Sequence, residues 1–264
     1  MQIIDIHTHI FPDQISETAI RTLERTSDTK THLNGTAGAL RRSMRRAGIR
    51  RAVVQPVSTK PSQVRSINEW AHQSGDETLI FFGTLYPGME GWREEIGWLK
   101  AREIKGVKFH PDYQNFFVDD PMVFPIYEEL EKQGLIVLFH AGVDIGLPSP
   151  VHAPPDRIAK VLDRFPNLKV IASHLGGYQC WDDVDRDLVG RNLFFDTSYT
   201  LDHLEASRAL EIMRGHGFER ILFGTDSPWE AQDDQVRKVS RLDLDEGAKA
   251  KIFGENAARL LGLG

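Results

Sequence analysis

Two histidines near the start of this 264-residue sequence have the spacing of metal ligands. His7 and His9 end the first apolar run, IIDI, and lie two residues apart. In a β-strand, side chains two residues apart point to the same face, so both imidazoles can reach one ion. Because neutral imidazole nitrogens bind divalent metals, the pair predicts a metal site. Asp5 is expected to share that face, either orienting a ligand imidazole or accepting hydrogen bonds from neighbouring backbone.

Four more apolar runs lead into a residue that can bind a metal. GVKF is followed by His110, LIVLF by His140 and KVIAS by His174, and RILFG leads to Asp226. A catalytic metal site needs three or four nitrogen or oxygen ligands and an open position for water. We therefore expect one set of ligands, formed by His7, His9, His140 and Asp226.

His174 is left outside this set and is available for proton transfer. An imidazole near its ordinary pKa suits an acid or base that contacts a water at the metal. The opposite assignment, with Asp226 as the base and His174 as a ligand, fits the same residues. Both residues are therefore candidates for the catalytic role.

Lys108 and His110 lie two residues apart on another strand, so both can face the same pocket. Three interpretations of Lys108 remain open. It is a cation that anchors a substrate carboxylate, a carbamylated bridge between two metals, or a lysine that reaches solvent at the strand edge. His110 is expected to bridge or to bind substrate beside it.

Eight short apolar runs alternate with longer amphipathic stretches, which is typical of βαβ units with parallel strands. The alternation favours a single-domain (β/α)₈ TIM barrel over residues 1–264, and an open doubly wound sheet is the alternative. The expected strands are 2–8, 51–57, 79–86, 106–109, 135–140, 169–174, 193–196 and 220–225. The expected helices include 62–73, 92–101, 121–133, 156–165, 201–215 and 245–261.

Barrel enzymes place their active sites at the carboxyl ends of the strands, so the loops that follow the strands are expected to determine specificity. Aromatic residues in these loops can line the substrate pocket or pack the loop against the barrel rim. The candidates are Tyr113, Tyr178, Trp181, Tyr199 and Trp229.

Charge and composition exclude other classes of partner. The formal net charge is −6, with 38 acidic and 32 basic side chains. This acidic balance does not favour binding to nucleic acid or to an anionic membrane. The arginine cluster at 41–51 is more typical of a solvated helix face than of a phosphate site. We expect a small-molecule substrate, and a homo-oligomer is left open.

Cys180 is the sole cysteine, which excludes an internal disulfide and a cysteine zinc cluster. The first residues lack the basic segment, apolar run and cleavage site of a signal peptide. No apolar stretch approaches the roughly 18 residues that a bilayer crossing needs. These features predict a cytoplasmic protein.

The ordered series of motifs resembles the amidohydrolase superfamily. The similarity is strongest to its amidohydrolase-related (amidohydrolase 2) branch, which includes lactonases and enzymes similar to aminocarboxymuconate-semialdehyde decarboxylase. The motifs are IDIHTHIFP at 4–12, GVKFHP at 106–111, LFHAG at 138–142, ASHLGG at 172–177, LFGTDSPW at 222–229 and FGENAARLLGL at 253–263.

This resemblance implies the same roles for the strand-end residues. It implies that His7, His9, His140 and Asp226 are the metal ligands, and that His174 contacts the activated water or transfers a proton. It also implies zinc, with Mn²⁺ as an alternative, and one ion rather than two. However, GVKFH is similar to the G-x-K-x-H of members in which a carbamylated lysine bridges two ions.

These observations favour a hydrolase that uses a metal-activated water on an amide, ester or lactone of a small carboxylic-acid-like substrate. The alternative is a non-oxidative decarboxylase of an aromatic or muconate-like acid. A third hypothesis, an inactive metal-binding barrel, is disfavoured because every expected ligand position and His174 are filled.

Overall fold

Parallel strands alternate with helices in the structure, a computed structural model that describes residues 2–263. The strands are β1 (Ile3–Thr8), β2 (Ile49–Val54), β3 (Leu79–Phe81), β4 (Gly83–Thr84), β5 (Gly106–Phe109), β6 (Ile136–Phe139), β7 (Lys169–Ala172), β8 (Phe194–Asp196) and β9 (Ile221–Leu222). Strands pair in parallel in the orders β1-β2-β3 and β4 to β9.

Two junctions close these strands into a barrel. The N–H of Phe82, between β3 and β4, donates to the carbonyl of Val54 at 3.0 Å, so β3 and β4 form one interrupted barrel strand. At the other junction, the N–H of Ile6 donates to the carbonyl of Phe223 at 2.8 Å, and Thr8 pairs with Ser227. The predicted (β/α)₈ barrel is therefore confirmed.

Helices surround the strands and cover their outer faces. They are α1 (Asp13–Ser27), α2 (Ala37–Ala47), α3 (Val64–Ser74), α4 (Trp92–Ala101), α5 (Pro111–Gln114), α6 (Phe124–Gln133), α7 (Pro155–Arg164), α8 (Trp181–Asp187), α9 (Ala206–His216), α10 (Gln232–Arg241), α11 (Glu246–Ala250) and α12 (Asn256–Leu261). Within residues 2–263, no helix combines the length and the apolar character that crossing a membrane requires.

Buried apolar side chains form two layers. Inside the barrel, Ile4, Ile6, Phe82, Leu138 and Leu222 belong to one cluster contributed by strands around the ring. A larger cluster fills the space between the strands and the helices. Because the inner cluster plugs the barrel below its mouth, polar side chains at the carboxyl ends of the strands surround a closed floor.

The sequence pattern predicts strands more reliably than helices in this chain. Helices α1, α8 and α10 are not among the segments predicted above, since their buried faces are narrow. In α8 only Val184 is buried, and α10 buries Val239 with two glutamines. With so few buried apolar side chains, these segments resemble polar surface stretches in the sequence.

The predicted helix at 245–261 is divided by a π-helical turn at Lys251–Glu255. This turn lets the carbonyl of Ile252 accept the N–H of Phe223 at 2.9 Å, so the segment attaches to the strand next to the site. Gly254 faces the start of β1, where an added Cβ would lie only 1.9 Å from the Gln2 carbonyl oxygen. The close approach of two backbones, which periodicity does not record, produces this interruption.

His216 is buried against the barrel wall and should make folding depend on pH. Its Nε2–H donates to the Leu193 carbonyl at 3.0 Å, its Nδ1 accepts from the Gly190 N–H, and its ring stacks on Phe195. Burial lowers its pKa from 6.5 to about 4. Between these values the unfolded chain binds more protons, so His216 makes the protein less stable as pH falls through this range.

We expect His216→Gln to remove this dependence. In urea titrations, the excess stability of the wild type over the variant should shrink by on the order of 2 kcal/mol between pH 7.5 and 4.5. The exposed His72 provides a matched control, because His72→Gln should leave the slope unchanged. A difference between wild type and His216→Gln that stays constant with pH would contradict the prediction.

Candidate metal centre

In both His7 and His9, a contact at Nδ1 fixes the ring and leaves Nε2 pointing towards the other histidine. His7 Nδ1 lies 2.9 Å from Asp196 Oδ2, and His9 Nδ1 lies 2.9 Å from the Gln55 carbonyl oxygen. Because those oxygens can only accept, both Nδ1 atoms donate and both Nε2 atoms keep a free lone pair. The two Nε2 atoms lie 3.2 Å apart. Burial, followed by the charge of Lys108, lowers the pKa of His7 to about 4, so His7 is neutral as a ligand must be.

Asp226 completes a triangle of ligand atoms with the two imidazoles. Its Oδ1 lies 3.0 Å from His9 Nε2 and 3.4 Å from His7 Nε2. Around a tetrahedral ion with bonds of about 2.0–2.1 Å, ligand atoms lie roughly 3.3 Å apart. Burial raises the pKa of Asp226, but the His7 and His9 imidazoles outweigh it and hold that pKa well below its usual range. The three residues therefore fit a divalent ion.

Asp196, which sequence reasoning did not single out, fixes the ring of His7. It is fully buried, and its Oδ1 accepts the backbone N–H groups of His174 and Ser198 at 3.1 Å each. Burial raises the pKa of Asp196, but His7, His174 and hydrogen bonds lower it overall, so the carboxylate is charged. Asp196 ends β8 at the barrel mouth, so the strand-end rule that found Asp226 could have found it.

Asp5 does not share the face of His7 as strict alternation predicts. The register of β1 on β2 shifts between Asp5 and Thr8, and this irregularity separates the two side chains. Asp5 accepts hydrogen bonds from the Thr225 hydroxyl at 2.6 Å and from Gln232 of α10 at 2.8 Å, and it also accepts the His7 backbone N–H. Of the two roles expected for Asp5, the structure shows the second, in which the carboxylate accepts hydrogen bonds from neighbouring groups.

His140 and His174 form a pair beside the triangle. His174 Nδ1 donates to the Ser198 carbonyl at 3.0 Å, so its Nε2 can accept from His140 Nδ1, which lies 3.1 Å away. His140 then keeps a free lone pair on Nε2, which is buried and has no hydrogen-bond partner among the described residues. The triangle forms without His140, so its role as a fourth ligand stays a prediction.

His110 and His140 instead meet Asp144, an acid in the loop after β6 that sequence reasoning missed. The two rings stack with centroids 4.2 Å apart, and Asp144 Oδ2 lies 3.3 Å from His110 Nε2. His110 Nδ1 accepts the Tyr113 N–H at 3.4 Å, which leaves Nε2 to face Asp144. His110, His140 and Asp144 thus form a second group of residues close enough to hold a metal ion. The acid four residues after His140 was the available signal.

Lys108 is buried close to the triangle of His7, His9 and Asp226. Its side chain is 1% exposed and its Nζ lies 3.5 Å from His7 Nε2, which excludes a lysine that reaches solvent at the strand edge. Burial lowers its pKa to about 8, a shift limited by the carboxylates of Asp226, Asp196 and Asp144. Substrate anchoring and a carbamylated bridge both remain predictions.

The five aromatic candidates surround the mouth at different distances. Tyr113 packs edge-on to His110 with centroids 4.3 Å apart, and the Trp181 indole N–H donates to the His174 carbonyl at 3.1 Å. Tyr178 and Tyr199 have ring centroids 6.3 and 6.4 Å from that of His174. Trp229 lines an adjoining cavity with Tyr199. Their role as substrate contacts stays a prediction.

Comparison with known proteins gives matches along the whole chain. An amidohydrolase family model matches residues 4–263. The 2-amino-3-carboxymuconate-6-semialdehyde decarboxylase of Dictyostelium discoideum is 27% identical over 199 residues, which cover 61% of this chain and 54% of that protein. The chain thus spans about half the length of this curated relative.

Two solved structures illustrate the likeness in fold. The 2,6-dihydroxybenzoate decarboxylase from Rhizobium superposes with a TM-score of 0.75 at 17% identity, covering 100% of this chain and 99% of that chain. A 5-carboxyvanillate decarboxylase from Novosphingobium aromaticivorans, complexed with manganese, has a TM-score of 0.72 at 16% identity and covers 99% and 96% of the two chains. At these identities the likeness shows the fold alone.

These comparisons correct the prediction of a hydrolase. The curated relative and the two solved structures named above are decarboxylases, so the alternative drawn from the sequence is better supported than the main prediction. The physical reason for the error is that a donor set of imidazoles and a carboxylate serves both reactions. Histidine and aspartate groups that can hold a divalent metal are present, whereas zinc as its identity is not confirmed.

Asp196 should control metal affinity through the orientation of His7. We expect Asp196→Asn to weaken metal binding about 10- to 100-fold, because the variant loses the charged acceptor on Nδ1 of a ligand. Titration of metal-free protein with Mn²⁺ and Zn²⁺ measures the change. Asp226→Asn should lose more affinity, and the exposed Asp163→Asn should lose none. Equal affinities for wild type and Asp196→Asn would show that Asp196 does not support the ligand.

Proposed function

Because the chain belongs to the amidohydrolase family, we propose that it is a metal-dependent, non-oxidative decarboxylase of an aromatic or muconate-like carboxylic acid. The observation that carries this proposal is the burial of the Lys108 ammonium beside the donor triangle of His7, His9 and Asp226. Among the described residues, no carboxylate oxygen lies within salt-bridge distance of Lys108 Nζ. A buried cation is costly without a counter-ion, and a substrate carboxylate supplies one.

In such a reaction, the bond between the carboxylate carbon and the ring or vinyl carbon breaks. The electron pair stays on the ring or vinyl carbon, CO₂ leaves, and a proton binds where the carboxylate was. A divalent metal held by His7, His9 and Asp226 would supply positive charge that orients the oxygen groups of the substrate. Lys108 would hold the carboxylate at the start of the reaction.

We assign proton movement to His174 rather than to Asp226. The low pKa of Asp226 keeps it charged, which suits a ligand and makes it a weak acid. The backbone carbonyl of Ser198 fixes His174 Nδ1, so Nε2 is the atom at which a proton enters or leaves. His140 Nδ1, 3.1 Å from that atom, extends the path. His174 would thus pass a proton to the substrate carbon.

The activities of similar proteins support this class of substrate. One curated relative is a decarboxylase of an aminocarboxymuconate semialdehyde, and two solved relatives are decarboxylases of dihydroxybenzoate and carboxyvanillate. Manganese is in one of these structures. Two imidazoles and one carboxylate suit either Mn²⁺ or Zn²⁺, so we propose one of these as the resident ion.

Release of CO₂ without uptake of water oxygen is the expected outcome of turnover. Metal-loaded protein should convert at least one acid in a panel of hydroxybenzoates, vanillate-type acids and muconate-type acids. Carboxyl-labelled substrate should give labelled CO₂, and reaction in D₂O should place one deuterium on the former carboxylate carbon. Labelled oxygen from water in the organic product, with no CO₂, would refute the proposal.

Lys108 and His174 should affect different kinetic parameters. We expect Lys108→Met to raise KM about 10- to 100-fold through loss of a charge-assisted contact to the carboxylate. His174→Asn should lower kcat about 100-fold or more with bound metal retained. The exposed His72→Asn is the control and should match the wild type. An unchanged kcat in His174→Asn would show that His174 does not transfer the proton.

A further inference from the structure

A cavity opens beside the candidate metal centre, between the loops that follow β8 and β9. Its volume is about 530 Å³, and Tyr199, Trp229 and Glu230 are among the residues that line it. The N–H of Trp229 donates to the carbonyl of Asp226 at 2.9 Å, so the cavity begins directly next to a proposed ligand. This volume is in the range of small-molecule sites.

The walls of this cavity carry more negative than positive charge. Four carboxylates line it, and one guanidinium, that of Arg237, does so among the described residues. Arg237 is already paired with Asp233 at 3.3 Å and Asp234 at 2.9 Å. The carboxylate of a bound ligand would therefore find no unpaired cation in the described part of the wall. The cavity does not suit the carboxylate end of an acid substrate.

Glu230 is the carboxylate in this wall that lacks compensation. It is 5% exposed, its Oε2 accepts the backbone N–H of Tyr199 at 2.9 Å, and its Oε1 has no partner within residues 2–263. By contrast, Asp202 pairs with Lys238 and accepts from Gln235. Burial raises the pKa of Glu230 well above its usual range, and Asp226 and Asp202 add to this. A buried carboxylate without full hydrogen bonding is costly, and positive charge held in the cavity beside it would stabilise it.

The aromatic lining adds a preference for a cation. Tyr199 stacks on His203 with centroids 4.4 Å apart, and Trp229 lines the same space. Electron-rich ring faces attract ammonium groups, and carboxylates beside them strengthen the preference. An uncharged apolar ligand would satisfy the rings but would leave Glu230 without a partner.

We propose that this cavity binds the ammonium group of a small organic amine, with Glu230 as the counter-ion and Tyr199 and Trp229 as aromatic contacts. The amine is either a substituent of the substrate, in which case this inference rests on the proposed function, or a separate small molecule. In both cases the cavity selects positive charge, next to a metal centre that selects negative charge.

Binding of benzylamine to the full-length, metal-loaded protein tests the chemistry without turnover. Isothermal titration calorimetry and tryptophan fluorescence should show benzylamine binding at least 10-fold more tightly than benzyl alcohol, which has the same shape and no charge. Glu230→Gln should weaken benzylamine binding at least 10-fold, and the exposed Glu246→Gln should not change it. Equal affinity for the two probes, or an unchanged affinity in Glu230→Gln, would overturn the proposal.

A second variant guards against a folding defect in Glu230→Gln. Trp229→Leu removes a ring and keeps every carboxylate, so it should also weaken benzylamine binding while circular dichroism matches the wild type. If Trp229→Leu binds benzylamine as tightly as the wild type does, the proposed aromatic contact is wrong.

Two further ligands distinguish the sources of the amine. If the amine belongs to the substrate, 4-(aminomethyl)benzoate should bind more tightly than benzylamine or benzoate alone. If it is a separate molecule, benzylamine and benzoate should bind together without competition, and linking them should give no gain. Benzylamine binding does not depend on decarboxylation, so failure to release CO₂ would refute the proposed function and leave this inference standing.

Discussion

The backbone hydrogen bond from the Asp226 N–H to the His7 carbonyl oxygen joins the last strand region of the barrel to the first. It measures 2.8 Å and belongs to the set of contacts that closes the barrel. The end of β1 and the residue after it supply two imidazoles, and the segment after β9 supplies the carboxylate, so neither stretch can form the donor triangle alone. The left-handed backbone at Asp226, with φ of 54°, turns its carboxylate towards the rings. That conformation costs on the order of 1 kcal/mol, which the closed barrel must offset.

Much of this arrangement follows from strand order, which the sequence displays. Alternating apolar runs and amphipathic stretches were enough to predict the barrel, because parallel strands need crossover helices. Parallel strands also place their carboxyl ends at one mouth, so the rule of polar strand ends predicts a shared site. His7, His9 and Asp226 lie together for this reason. The same rule, applied to every strand, would have included Asp196.

What the sequence could not supply depends on backbone torsions beyond the strands. His174 has a φ of 58°, so its side chain is placed by a turn and not by strand alternation. A register shift likewise sends Asp5 towards α10. The meeting of His110 with Asp144 depends on a loop, which periodicity does not describe. The choice between hydrolysis and decarboxylation could not be made from the sequence for another reason, since both reactions can use one donor set and differ in what enters the pocket.

Ligands on both sides of the barrel junction make an ion at this centre a cross-link between distant parts of the chain. In the unfolded chain, holding His7 against Asp226 closes a loop of nearly the whole sequence, which costs chain entropy. In the folded barrel the two residues already lie together, so the ion binds the folded state by preference and stabilises it as its concentration rises. Metal supply and resistance to unfolding are then coupled in this protein. A cell that withholds the ion would weaken the fold of this protein.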